Sequence, residues 1–81
     1  MKKFYHDKHV KLTNREIEIV SLIINEQTTK EIAQSLYLSI DTIKSHRKNI
    51  MYKLKAKNVA GIVREAFMQN LIELNPMPIG A

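Results

Sequence analysis

Between Ser39 and Lys57 stand five lysines and Arg47 against a single acid, Asp41, so this segment carries a net charge of +5. The whole 81-residue chain carries no more than that. The segment 1–11 is also basic, at net +3, whereas 12–38 (net −2) and 58–81 (net −1) are mildly acidic. Lysine ammonium groups donate to guanine O6 and N7 in a DNA groove or to phosphate oxygens. Ser45, between Lys44 and Lys48, is short enough to let a helix approach closely. A charge run is just as often a solvated face, so charge alone leaves the two readings even.

Other chemistry finds little support. Ser21, Ser35 and Ser39 have no arrangement of histidine and acid around them, and no glycine-rich phosphate loop occurs. Glu16 and Glu18 are better used in capping and surface ion pairs than in acid–base work, so an enzyme is not expected. His6 and His9 are three apart, but no third convergent ligand accompanies them, and a disordered arm is the preferred reading over a metal site. The chain has no cysteine, which excludes disulfides and thiolate sites and agrees with a reducing interior. No cofactor is called for. The start lacks an apolar signal-peptide core, and the longest apolar stretch, 19–24, is far too short to span a bilayer. A cytoplasmic protein that makes no membrane contact is expected.

The elements that must hold the basic segment are written out by their caps. Thr13 with Glu16, and Thr28 with Glu31, have capping-box spacing, in which hydroxyl and carboxylate each accept a backbone N–H. The first helix is apolar around most of its circumference (Ile17, Ile19, Val20, Leu22, Ile23, Ile24) and should be central. The second is short, with Ile32, Ala33 and Leu36 inward. Ser39 then caps a third helix, 40–54, with Asp41 favoured in its first turn. Its narrow inward stripe is Ile43, Ile50 and Leu54, and Asp41, Lys44, Ser45, Lys48 and Tyr52 fall on the far side. Asn58 caps a fourth helix, 59–69, whose Val59, Ile62, Val63, Ala66 and Phe67 cover a wider arc than packing on one neighbour needs. Asn70 suits a left-handed helix end, and Pro76 and Pro78 keep the tail out of any helix. The expected fold is all-α, a four-helix bundle with a helix-turn-helix at its centre. Its domain runs over 12–72, between a basic arm or linker (1–11) and a flexible tail (73–81).

Leu12-Thr13-x-Arg15-Glu16-x-Glu18-Ile19-Val20, then Thr28-x-Lys30-Glu31-Ile32-Ala33-x-x-Leu36, then Leu38-Ser39-x-x-Thr42-Ile43-Lys44-x-His46-x-x-Asn49-Ile50-x-x-Lys53-Leu54 resembles the LuxR-type DNA-binding domain. That domain closes many bacterial response regulators and quorum-sensing receptors. The resemblance covers about 12–72 and implies a sequence-specific transcription regulator, or the DNA-binding output domain of one. Its third helix would enter the major groove of double-stranded DNA and its fourth would form a homodimer. By position, Lys44, Ser45 and Lys48 correspond to base-facing residues, while Thr42, Asn49 and Lys53 correspond to positions holding the phosphate backbone or the helix end. Arg47 either clamps a phosphate or covers apolar surface with its stem. The dimer surface would come from Val59, Ile62, Val63, Ala66 and Phe67.

Three residues depart from the family pattern. Glu26 replaces the usual glycine closing the first helix, so Asn25 or Glu26 must supply the left-handed turn. Val59 replaces a common arginine, and Gly61 inside a helix costs up to about 1 kcal/mol against alanine. Two other functions fit the same fold: promoter recognition together with RNA polymerase, as in region four of a sigma factor, and a protein-interaction module using the fourth helix. The chain begins with methionine and shows no sensor or phosphoacceptor, which suits either a free-standing regulator or the output part of a larger one.

Overall fold

Thr13, Thr28, Ser39 and Asn58 all have extended backbone, and each side chain accepts the backbone N–H three residues on. They start four helices: α1 (Asn14–Ile24), α2 (Thr29–Leu36), α3 (Ile40–Leu54) and α4 (Val59–Met68). Both capping boxes are complete. Glu16 Oε1 accepts from the Thr13 N–H and Glu31 Oε1 from the Thr28 N–H, each at 2.8 Å. The computed structural model describes residues 11–71. Lys2, Lys3, Lys8, His6, His9, Ile72 and the tail 73–81 lie outside the described residues.

Each helix ends in the same way, and none of the ends uses glycine. Glu26, Tyr37, Lys55 and Asn70 all have φ between 53° and 64°. In each case the next residue's N–H returns to the carbonyl five residues back: Gln27 to Leu22, Leu38 to Ala33, Ala56 to Met51 and Leu71 to Ala66, at 2.9–3.1 Å. This double closure satisfies carbonyls the helix would otherwise orphan. Of the two candidates for the turn after α1, Glu26 takes it, at φ 64°, while Asn25 stays at φ −83°.

The core lies between α1 and α3, each of which packs against all three other helices, while α2 and α4 do not meet. The largest fully buried side chains are Ile19, Val20, Ile32, Ile43, Ile50 and Ile62. On α1 the inward face is Glu16, Ile19, Val20 and Ile23, at i, i+3, i+4, i+7; Ile17 and Ile24 sit at its edge rather than in its middle. Gly61 has a packing reason for its place in α4. A Cβ there would lie 3.0 Å from the Ala56 Cβ, tighter than an ordinary contact, so any larger residue would push the α3–α4 turn away by a few tenths of an ångström.

Candidate nucleic-acid interface

α2, the three residues 37–39 and α3 form a helix-turn-helix. α3 is fixed by Ile43, Ile50 and Leu54, all buried, and on its opposite side Asp41, Lys44, Ser45, Lys48 and Tyr52 are all exposed. Asp41 is the one acid on this face, and after it the sequence holds no acid until Glu65 in α4. Ile40, partly exposed, opens the same side one turn before Lys44. The combination is a rigid polar rod with its cations outward.

The remaining sequence-predicted residues divide. Thr42 is half-buried in the first turn; Ser39 Oγ donates to Thr42 Oγ1 at 2.9 Å and accepts the Thr42 N–H at 3.0 Å. Asn49 is exposed on the flank of the lysine face. Arg47 turns toward α2 and donates to Thr29 Oγ1 in that helix's first turn, tying the two arms of the motif together. Lys53, expected to hold the phosphate backbone or the helix end, has its ammonium 2.8 Å from Glu16 Oε1, an ion pair that joins the last turn of α3 to the start of α1. Burial by itself would raise the Glu16 carboxyl, but the Lys53 ammonium and the Thr13 N–H outweigh it and hold it below the ordinary value of 4.5.

The dimer surface expected on α4 needs correction. Ile62 and Ala66 are fully buried in the chain's own core, at 0% exposure, and are unavailable to a second copy. Val59 and Val63 are half-buried against that core. Phe67 (41% exposed) and Met68 (54%) carry the apolar surface that remains.

Sequence reading missed the partners of Lys53 and Arg47, which lie 37 and 18 residues away, and the exposed lysine ending α3, Lys55. Among the described residues no group of three or more histidine, aspartate and glutamate side chains is placed to hold a metal. No helix among them is long and apolar enough to cross a membrane.

A tetrahelical domain presenting a basic second helix of a helix-turn-helix is a DNA-binding domain. Residues 10–66 match the family described as bacterial regulatory proteins, luxR family. The chain is 40% identical over 63 residues to the spore germination protein GerE of Bacillus subtilis, covering 78% of this chain and 85% of that one. It is 39% identical over 62 residues to the oxygen regulatory protein NreC of Staphylococcus aureus, covering 76% of this chain but 29% of NreC. A crystal structure of the response regulator ChrA, from a heme-sensing two-component system, superposes with a TM-score of 0.75 at 32% identity over 76% of this chain and 31% of that one. The chain thus spans most of GerE and under a third of NreC and ChrA. It belongs to the luxR family of bacterial regulatory proteins, and its domain is the DNA-binding helix-turn-helix of such transcription regulators.

Proposed function

We propose that residues 12–72 regulate transcription in the bacterial cytoplasm by laying α3 in the major groove of double-stranded DNA. Lys44, Ser45 and Lys48 face base edges, and Thr42 and Asn49 lie toward the phosphates. Arg47 acts by holding α2 against α3. Two copies meet through exposed Phe67 and the uncovered edges of half-buried Val59 and Val63, and occupy two half-sites. The observation that carries the reading is the exposed cationic face of α3 on a helix whose other side is fully buried. Site selection from a random duplex library, followed by binding titrations with Lys44→Ala and Lys48→Ala, tests it. Where the lysine reads a base, its removal should relax preference at one position. Where it holds a phosphate, its removal should weaken all sequences alike and lower the salt slope by about 1. Unchanged affinity in both variants would remove α3 as the reader.

A further inference from the structure

Asp41, Ser45, Lys48 and Tyr52, spaced i, i+4, i+7 and i+11, run down the side of α3 roughly opposite the buried stripe of Ile43, Ile50 and Leu54. The acid at the head of this line is at odds with its neighbours. It shares an otherwise cationic face with Lys44 and Lys48, and a polyanion brought to that face repels it. No contact within the domain accounts for its place. Among the described residues Asp41 forms no ion pair, although Lys44 stands one turn away. Capping does not use it either, because Ser39 accepts the Thr42 N–H and donates to Thr42 Oγ1. In α1 and α2, by contrast, the first-turn acid, Glu16 or Glu31, is the reciprocal half of a capping box. The helix dipole favours an acid in this turn, but only weakly at an exposed position, and it does not require the one that faces outward.

We infer that Asp41 is a specificity-determining residue that selects cytosine, an inference that rests on the function proposed above. The N-terminal residues of a recognition helix are the ones that reach base edges in the major groove, and Asp41 stands ahead of Lys44 among them. An ionised carboxylate only accepts hydrogen bonds. In the major groove guanine presents two acceptors, thymine an acceptor and a methyl group, and adenine a donor beside an acceptor. Cytosine alone presents a donor, its N4 amino group, with no acceptor of its own. Asp41 is therefore satisfied by cytosine and opposed by an acceptor on each of the other bases. Selection works by exclusion. The carboxylate lowers affinity for every sequence that lacks the donor, while Lys44 and Lys48 supply the general attraction.

The test is Asp41→Ala and Asp41→Asn, each taken through site selection and then titrated by anisotropy on the selected operator and on a mixed-sequence duplex. The unaltered protein should select cytosine at one position of the half-site. Replacing that base by an analogue without the exocyclic amino group should weaken its binding roughly tenfold. Asp41→Ala should accept any base there, ignore loss of the amino group, and bind the mixed-sequence duplex about twofold to fivefold more tightly, opposite in sign to removal of a lysine. Asp41→Asn, which both donates and accepts, should shift the preference at that position toward adenine. Lower melting temperatures for both variants with an unchanged selected sequence would assign Asp41 to the helix dipole alone, overturning the inference and sparing the function. Tighter binding to all duplexes alike with every base preference intact would overturn it too, as would loss of preference at a position that selects another base. Failure of the unaltered chain to bind any duplex at low salt would overturn the proposed function itself.

Discussion

Glu16 Oε1 accepts from the Thr13 N–H and from the Lys53 ammonium, both at 2.8 Å, on a residue only 4% exposed. One oxygen thereby joins the first turn of α1 to the last turn of α3. Removing the cation leaves a buried carboxylate short of a partner, so Lys53→Met should destabilise the domain by about 1–3 kcal/mol in urea unfolding. No loss would mean that the pair contributes nothing. The lowered carboxyl pKa also fixes the direction of the acid response. A group with a depressed folded-state value contributes stability above its unfolded pKa and loses it as the pH falls through the folded one. Stability should therefore decline below about pH 4.5, and Glu16→Gln should flatten that part of the curve in thermal unfolding followed against pH. Glu16 was legible in the sequence as a capping residue, because its partner lies three positions away. Lys53 is 37 residues off and was beyond reach of any local rule.

At the scale of the elements, the four helix starts could be read directly, because Thr13, Thr28, Ser39 and Asn58 act on N–H groups within their own first turns. The inward stripe of α3 was also legible, since a narrow face has only one way to pack. The wide arc of α4 was not: the periodicity gave its extent but not which part another helix covers. Ile62 and Ala66 face α1 and α3, while Phe67 is left out. The stops were harder than the starts, because tyrosine and lysine give no signal for a left-handed end. Tyr37 is 94% exposed at φ 58°, so it bears backbone strain without packing in return. Tyr37→Gly should raise stability by about 0.5–1 kcal/mol, a few degrees in melting temperature. A lower melting temperature would show that the tyrosine ring supports the turn.

For the molecule as a whole, the remaining question at α4 is pairing. Phe67 is exposed on its solvent side, so Phe67→Glu should leave the monomer's melting within about 0.5 kcal/mol of the parent. Under the proposed dimer, the same change should abolish cooperative occupation of paired half-sites in footprinting while sparing weak binding to a single site. Equal occupation of both by the variant would place dimerisation elsewhere or nowhere. The deepest side chains, five isoleucines and Val20, are all β-branched, and in a helix such side chains keep essentially one rotamer each. The interior therefore has few alternative arrangements to explore, and the angle between the two arms of the motif is set before any encounter. Freedom to adjust at the interface is confined to the long, thin lysine tips. Mutual fitting then falls to the duplex, whose readiness to bend or twist becomes part of what the protein discriminates.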